Sequence, residues 1–485
     1  MSNDALRGNL NMLMKNQFVI LCFCFITVTG CTVGPNYRPP EPNMPSSWAG
    51  PTTADSNQLT TATAEDIVRW WTTFGDETLT LLVERAVNSN LDLKQAEARI
   101  LQARASRSIV TAGLWPSVEA TGSFTRSRSG GTTVGGNAGT TRNLYQAGLD
   151  AAWELDIFGG VRRDVEAANA DVLAAVEDRR DVLVTLTAEI ALNYIDLRGF
   201  QQQIVIAQNN LKAQKHSAEL TRKRFQGGFV GALDVANADA LVATTASQIP
   251  VLESSARQTI YSLSVLLGLE PAALLHELAQ TSEIPAAPPA VPVSVPSDLL
   301  LRRPDIRRAE AQIHSATARI GVATADLFPK LSLSASGGFQ GSQSNTLTNW
   351  DNRFWSLGPS VSWQVFSAGR IEANIELQKA LKEQSFITYQ QTVLTALQDV
   401  ENALIVSAKE QEHRDRLIEA VAANRKAVDL ATKLYTEGQT DFLNVLEAQR
   451  SLYASEDALV QSTRNVSTNL VALYKALGGG WNSEQ

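Results

Sequence analysis

Four histidines are the side chains of this 485-residue sequence best suited to proton transfer or metal binding. They stand alone on helical patterns, with no nucleophile elbow and no metal-binding spacing nearby. Their positions are His216, His276, His314 and His413. Glycine pairs at 130–131 and 135–136 could cradle a phosphate, but no Lys-Ser or Lys-Thr follows them. We therefore expect no enzymatic activity, no metal and no cofactor, and histidines that are solvated or packed.

Cys31 is the residue whose context predicts a covalent modification. An apolar run over residues 17–28 follows Lys15. It has the length of a signal-peptide hydrophobic region and is too short to span a bilayer. The run ends Val28-Thr29-Gly30-Cys31, which resembles the lipobox of bacterial lipoproteins, cleaved before the cysteine and lipidated on its sulfur. Thr32, in place of Asp, indicates sorting to the outer membrane; an uncleaved signal anchor is the alternative.

Composition excludes several other classes of partner and site. The formal charge is −8 with scattered signs and no basic run, so nucleic acid is not an expected partner. All three cysteines precede residue 32, which excludes a disulfide framework or zinc site in the remainder. No other run reaches the ~18 apolar residues of a transmembrane helix. Any further membrane contact must therefore come from strands.

A heptad pattern over residues 183–225 organises the rest of the chain. Its apolar seam is Leu183, Ile190, Leu197, Ile204, Leu211, Ala218 and Phe225. The interleaved seam positions are half polar and include Gln214 and Thr221, which predicts a wet or mixed environment there. A helix of this length spans roughly 64 Å. The same frame recurs 210 residues later, so a long helix is expected twice; core helices of a large bundle are the alternative.

The two halves of the chain repeat one order of elements. Leu327-Phe328-Pro329 echoes Leu114-Trp115-Pro116, and residues 435–438 echo residues 225–228. The expected organisation is a signal peptide at 1–30, a lipid-anchored Pro-rich segment at 31–64, a first repeat at 65–283, a Pro-rich linker at 284–296 and a second repeat at 297–485. Each repeat holds a β-hairpin (117–155, 330–365) and a long helical hairpin (161–268, 370–478). The Pro-rich segment is extended and forms a tether or a strap along the body.

Alternation of apolar and polar residues over about ten positions predicts four strands of membrane-spanning length. Aromatic residues lie near their ends: Phe124, Tyr145, Trp153, Phe339, Trp355 and Trp363. A soluble half-buried sheet alternates in the same way, but the export signal favours the membrane. Four strands cannot close a barrel in lipid. We therefore expect three copies, with twelve strands and a helical cylinder below them that form a conduit.

Together these features resemble the TolC/OprM outer-membrane efflux channel family, among it the lipoproteins of proton-driven multidrug pumps. The resemblance rests on residues 31–40, Trp70-Trp71, residues 303–307, the Phe-to-Arg openings at 158 and 366, and the hairpin tips. It implies an α+β membrane protein: a homotrimeric 12-stranded β-barrel continued by a long α-helical coiled-coil barrel in the periplasm. It also implies a passive exit duct with two partners, a periplasmic membrane-fusion adaptor and an inner-membrane RND-type transporter.

The resemblance assigns roles at the tips, where family members pinch the channel shut. Asp234 falls on the gate aspartate, Tyr435 on the gate tyrosine, and Thr440 where some members hold an arginine against that aspartate. Asn444 and Glu447 correspond to two lumen-facing acidic positions, so only Glu447 can supply a carboxylate ring. Such a ring favours cations and binds polyvalent metal ions. The alternative for Asp234, Asn444 and Glu447 is an ordinary role at the start of a helix.

A basic cluster opens the second repeat. It comprises Arg302, Arg303, Arg307 and Arg308, beside Asp305 and Glu310. Its plain interpretation is surface charge with pairs inside one helix. The resemblance makes it a structural signature and not a site.

Two other functions stay open. The same fold could carry protein secretion beside an ATP-driven transporter, although the lipobox argues against this. The chain could also be a structural coiled-coil lipoprotein of the periplasm without a pore, which membrane-embedded strands would exclude.

Overall fold

The computed structural model describes residues 32–49, 67–128, 139, 141–287 and 296–482. Cys31 and the expected signal peptide lie outside these residues. The chain divides into two compact units, one of residues up to 40, 100–175 and 309–389, the other of 41–99, 176–308 and 390–485. We call them the sheet unit and the helical unit.

The described residues are mostly helical and include one antiparallel sheet. The helices are α1 (Glu77–Ser89), α2 (Leu91–Ala112), α3 (Gly160–Gln226), α4 (Ala232–Leu266), α5 (Leu275–Leu278), α6 (Leu299–Arg302), α7 (Pro304–Ala325), α8 (Arg370–Thr436) and α9 (Phe442–Ala476). The strands are β1 (Ser117–Arg128), β2 (Thr141–Leu155), β3 (Lys330–Gly341) and β4 (Arg353–Ser362). Within the described residues, no helix combines the length and apolarity needed to cross a membrane.

The sheet unit holds the four strands in the order β1-β2-β3-β4, all antiparallel. Paired residues share a face, because side chains alternate along each strand. One row, Glu119–Asp150–Ser336–Ser356, carries polar groups across the whole sheet. The row Val118–Ala151–Ala335–Leu357 carries apolar groups on the other face. The predicted alternation therefore gives one polar and one apolar face.

Two tryptophans fasten strand ends to the ends of the preceding helices. The Trp153 indole N–H donates to the Leu114 carbonyl at 3.0 Å. The Trp363 N–H donates to the Leu327 carbonyl at 3.1 Å, the equivalent contact in the second repeat. Each acceptor carbonyl belongs to the turn two residues after its helix ends, so the bond ties that turn to the sheet.

Residues 32–40, the described N-terminal segment of the sheet unit, form the N-terminal strap. The Val33 N–H donates to the Phe158 carbonyl at 3.1 Å. Arg163, buried in α3, donates from Nε to the Val33 carbonyl at 3.1 Å and from Nη2 to Asn36 Oδ1 at 2.7 Å. Its Nη1 donates to Glu166 Oε2 at 2.7 Å. The strap is therefore held along the sheet unit by Arg163 of α3, a partner that the sequence of the strap does not predict.

Tyr37 anchors the strap a second time. Its ring stacks on His314 at 4.2 Å, and its hydroxyl donates to Glu310 Oε1 at 3.0 Å. Burial, together with the Glu310 carboxylate, raises the pKa of Tyr37 well above its ordinary value. The same two causes raise the pKa of Tyr389 to about 12. Both hydroxyls therefore stay protonated, and Tyr37 keeps its donated bond, at any physiological pH.

The heptad region lies inside α3. Its apolar seam is buried at Leu183, Ile190 and Leu197, but the last seam residue, Phe225, is 46% exposed. The polar seam positions Gln214 and Thr221 are 3% and 0% exposed. The half-polar edge of the seam is therefore a mixed packed environment and not a wet one at these positions.

The core of the helical unit surrounds Trp70, whose ring stacks on Tyr474 at 5.4 Å. Residues Leu79, Leu82, Val83 and Ala86 bury one face of α1 at helical spacing. Asp76 is the N-cap residue of this helix, and its side chain accepts the Leu79 N–H at 2.9 Å and the Tyr194 hydroxyl. The N-cap bond and the buried face together fix α1.

The interpretation of the basic cluster as exposed charge paired within one helix is wrong. Arg303 is largely buried; it forms a two-pronged pair with Asp305 and reaches Asp399 at 3.2 Å and the Ala476 carbonyl at 3.0 Å. The next arginines pair with carboxylates of α3: Arg307–Glu177 at 2.9 Å, Arg308–Asp178 at 2.7 Å and Arg308–Asp181 at 3.1 Å. Burial alone would lower the pKa of Arg303, but its carboxylate partners outweigh burial and raise it. The cluster joins helices that are far apart in sequence.

Candidate gate at the tips of the helical hairpins

The two hairpin tips turn by the same local mechanism. In the first, Gly228 has φ +79° and the Phe229 N–H bonds back to the Arg224 carbonyl at 2.9 Å. In the second, Gly438 has φ +77° and the Gln439 N–H bonds back to Leu434 at 2.8 Å. This is the Schellman arrangement, in which glycine takes the left-handed conformation that other residues avoid. The Gly residues of the repeat thus fix where α3 and α8 end.

Tyr435 joins the two hairpins just above these turns. It is 2% exposed, and its hydroxyl donates to Thr221 Oγ1 of α3 at 3.2 Å. Thr221 in turn donates to the Ser217 carbonyl at 2.9 Å. The Tyr435 ring packs on Phe442, at the start of α9, with centroids 5.5 Å apart. A hydroxyl pair inside an apolar cluster is a contact that can be broken and remade at modest cost.

Arg224 covers the same ring from outside. Its guanidinium carbon lies 4.5 Å from the Tyr435 ring centre, and Nη1 donates to the Tyr435 carbonyl. The sequence did not indicate Arg224 as a contact of Tyr435, and it indicated Thr221 only as a polar seam position. Comparison of the two repeats could have identified these positions, because each differs in type from its equivalent. At the offset of 210, Arg224 aligns with Leu434 and Thr221 with Ala431. The two tips differ at the positions that touch Tyr435.

Asp234 is the third residue of α4. Its carboxylate accepts the Gly231 N–H at 3.3 Å, and its own N–H donates to the Gly231 carbonyl at 3.1 Å. Within the described residues it forms no ion pair. This geometry matches the helix-start alternative, because a carboxylate in the first turn satisfies a free N–H and meets the positive end of the helix dipole.

The remaining predicted tip residues lie on one exposed stretch. Asn444 Nδ2 donates to Thr440 Oγ1 at 2.7 Å, so Thr440 bonds within its own tip. Glu447 is exposed and pairs with Arg450 at 3.1 Å, one turn away. The Glu447 carboxylate therefore has a counter-charge, Arg450, which the family resemblance does not predict.

A buried polar layer continues above the tips. Gln449 Nε2 donates to Ser217 Oγ at 2.8 Å, and both residues are buried. The side-chain amide of Gln214, buried in the same helix as Ser217, has no hydrogen-bond partner in the described structure. A buried amide without partners costs folding free energy of about 1–3 kcal/mol. The unpaired Gln214 amide therefore lowers the stability of the packed hairpins near the tips.

Comparison with known proteins shows which family the chain resembles. The family model described as outer membrane efflux protein matches residues 82–269 and 295–479. The pyoverdine export outer membrane protein OpmQ of Pseudomonas aeruginosa is 34% identical over 483 residues, 98% of both chains. Nodulation protein T of Rhizobium leguminosarum bv. trifolii is 32% identical over 466 residues, 95% of this chain and 97% of that protein.

A solved structure of the outer-membrane channel OprN has the same fold. It superposes with a TM-score of 0.87 at 38% identity, and covers 93% of this chain and 100% of that one. The predicted α+β fold class is confirmed. On the extent of the family match, the chain belongs to the outer membrane efflux protein family.

Proposed function

We propose that this chain forms the exit duct of a tripartite efflux pump in the outer membrane and passively conducts drugs or other small molecules. The observation that carries the proposal is the sheet, with one apolar face, one polar face and edge strands β1 and β4 that pair with no other described strand. Open edges are not tolerated in lipid. Three chains joined edge to edge give a closed barrel of twelve strands with a polar lumen.

The proposed partners follow from the absence of an energy source in a duct. The sequence has no phosphate-binding loop, so a transporter must drive the substrate. An inner-membrane RND-type transporter and a periplasmic membrane-fusion adaptor fit this requirement. The names of the relatives, which include an export protein and efflux pump outer membrane proteins such as TtgC of Pseudomonas putida, support a pump partner.

A lipid anchor on Cys31 fits the position of the strap. Thr32, the next residue, lies so close to Gly159 that a Cβ there would meet its Cγ2 at 2.7 Å. Gly159 follows β2 by four residues, at the end of the sheet opposite the hairpin loops. Thr32 therefore lies beside the end of the sheet opposite the hairpin loops, which supports a lipid anchor on the residue before it.

In this proposal, Tyr435 holds the periplasmic end closed through its bond to Thr221, and Asp234 and Thr440 shape the tips beside it. Asn444 and Glu447 line the throat. Because Arg450 lies 3.1 Å from the Glu447 carboxylate, three copies form a ring of ion pairs with moderate cation preference. Partner docking opens the throat by separating the two hairpins at Tyr435.

Single-channel conductance in planar bilayers tests the proposal. Tyr435→Phe removes one neutral hydrogen bond per chain, about 1 kcal/mol, and should raise each chain's opening equilibrium roughly fivefold. Asp234→Ala should enlarge the steps by loosening the first turn of α4. Glu447→Gln should reduce cation selectivity, and loss of Arg450 should increase it.

Glu419→Gln is the matched control for Glu447→Gln. Glu419 pairs with Arg416 at 3.2 Å in an exposed i,i+3 pair of the same kind, but on α8 away from the tips. The Glu419→Gln variant should leave the cation selectivity of the channel unchanged. Trimers that insert and conduct but respond alike to all variants would refute the gate assignment. Protein that never inserts would refute the duct and favour the structural lipoprotein.

A further inference from the structure

The apolar face of the sheet ends in arginines at one end only. Strand register puts Arg126 opposite Asn143, Arg128 opposite Thr141 and Arg353 opposite Phe339. These positions share the face of Phe124, Trp355 and Leu357, because residues two apart on a strand point the same way. All three arginines lie where the strands meet the hairpin loops, since β1 ends at Arg128 and β4 begins at Arg353.

On the described strands this face carries no negative charge that could compensate the arginines. On the described strands its remaining residues are uncharged: Val118, Ala120, Gly122, Phe124, Thr141, Asn143, Tyr145, Ala147, Leu149, Ala151, Trp153, Leu155, Leu331, Leu333, Ala335, Gly337, Phe339, Gly341, Trp355, Leu357, Pro359 and Val361. The acidic side chains Glu119, Asp150 and Glu154 lie on the polar face. Asp351, in the turn before β4, forms no ion pair with the three arginines in the described structure.

The arginines adjoin large exposed apolar side chains. Phe124 is 56% exposed, two residues from Arg126, and Trp355 is 79% exposed, two residues from Arg353. The Arg353 guanidinium lies 4.5 Å from the ring centre of Trp350, itself 71% exposed. Nη1 of Arg353 donates to the Trp350 carbonyl at 2.9 Å, which leaves its other N–H groups available. An occupant must therefore offer anionic oxygens and hydrocarbon at once.

We propose that Arg126, Arg128, Arg353 and Trp350 form a docking surface for a phosphorylated glycolipid of the outer leaflet, with phosphates on the guanidinium groups and acyl chains along the apolar face. Arginine binds phosphate through two parallel hydrogen bonds, and tryptophan favours the interface between headgroups and hydrocarbon. A free anion would contact only the guanidinium groups and would leave the apolar side chains exposed. The inference rests on the proposed function, because it requires the apolar face to meet lipid.

Lipid binding to the detergent-purified full-length trimer, measured by native mass spectrometry, tests the proposal. The probes are a diphosphorylated lipid A and the same lipid without phosphates. The wild type should bind the diphosphorylated lipid about 10-fold to 100-fold more tightly. The triple variant Arg126→Gln, Arg128→Gln, Arg353→Gln should lose this preference, and the corresponding Lys triple should keep most of it.

Arg142→Gln is the matched control. Arg142 lies at the same end of the sheet, opposite Ser127, but on the polar face. It should leave the preference intact. Equal binding of both lipids to the wild type, a preference retained by the Gln triple, or a loss in Arg142→Gln equal to that in the triple would overturn the proposal.

Two further measurements separate the possible explanations. Displacement of the lipid by millimolar inorganic phosphate alone would indicate a simple anion site and overturn the glycolipid assignment. Conductance in bilayers without phosphorylated glycolipid should be normal for the Gln triple. Normal conductance with no lipid preference in the wild type would remove this inference and leave the duct intact, whereas failure of every variant to insert would remove both.

Discussion

Replacing Arg163 with methionine is expected to release the N-terminal strap from the sheet unit. Arg163 is 4% exposed and donates to the Val33 carbonyl at 3.1 Å and to Asn36 Oδ1 at 2.7 Å; a longer contact reaches the Gly34 carbonyl at 3.4 Å. Methionine keeps the length of the side chain but donates no hydrogen bond. The strap then loses its charged donor while the Tyr37 anchor remains.

The magnitude follows from the two short bonds. Hydrogen bonds to charged groups contribute about 1.5–3 kcal/mol each. The bonds share one side chain and are not additive, so we expect the free energy of strap opening to fall by about 3–5 kcal/mol. Glu166 also loses its partner at 2.7 Å, which leaves a half-buried carboxylate with His314 alone.

Hydrogen exchange at the strap measures this change. The Val33 N–H is protected by its bond to the Phe158 carbonyl, so its exchange rate reports strap opening. A loss of 3–5 kcal/mol corresponds to a protection factor lower by about 10²-fold to 10³-fold or more. Arg163→Lys should fall between wild type and Met, because a lysine cannot reach several acceptors in the same plane.

Arg319→Met is the control, since Arg319 is an exposed arginine of the same unit that pairs with Asp171 at 2.8 Å. It should not change exchange at Val33. The reasoning is refuted if Arg163→Met protects Val33 as well as the wild type does, while exchange at the hairpin tips shows that the variant is folded. Tyr37 would then be the principal anchor, and Tyr37→Phe should show the large effect.

Three further outcomes are expected. Burial alone would raise the pKa of Glu166, but bonds from Arg163 and His314 outweigh it and hold the pKa below its ordinary value. The stability that Glu166 gives to the folded protein is therefore complete above about pH 4.3 and is lost as the pH falls through the lowered value; thermal unfolding over a pH series should show this loss, and Glu166→Gln should reduce it. Gly478 has φ +74°, and a Cβ there would meet the Arg302 carbonyl oxygen at 2.9 Å; Gly228 has φ +79°, but a Cβ there would meet no atom within 4 Å. Gly478→Ala should therefore lower thermal stability more than Gly228→Ala, by about 1–3 kcal/mol. Equal losses would contradict the steric argument. Arg303→Met should destabilise the trimer by about 3–5 kcal/mol in thermal unfolding, because Asp305 and Asp399 lose their shared partner; an unchanged melting temperature would return Arg303 to the class of surface charges.

The fold was predictable where a pattern repeats over many residues. Heptads identify the long helix, and alternation identifies the strands, because each pattern states which face is apolar. The pattern failed at its end, where Phe225 keeps the seam position yet is 46% exposed. Periodicity describes a helix and does not tell which neighbour covers each turn.

Contacts between distant parts of the chain were not predictable in the same way. The Arg163–Asn36 bond joins residues 127 positions apart, and Tyr435–Thr221 joins residues 214 apart. No local preference selects such pairs. The contacts of Arg303 were not predictable for the same reason, because Asp305 is near in sequence but Asp399 is near only in space. The roles of Asp234, Thr440, Asn444 and Glu447 at the throat stay predictions that the conductance variants decide.

The unequal tips have a consequence for symmetry. Phe225 and Tyr435 occupy equivalent places in the duplicated halves, yet one side chain is 46% exposed and the other 2%. A trimer of this chain presents six tips of two kinds in alternation, of which only three carry the tyrosine. Its helical end is therefore only approximately sixfold. In the proposed gate, a closing movement about Tyr435 has three equivalent elements and not six. Any ring of six identical partner subunits must contact two distinct surfaces.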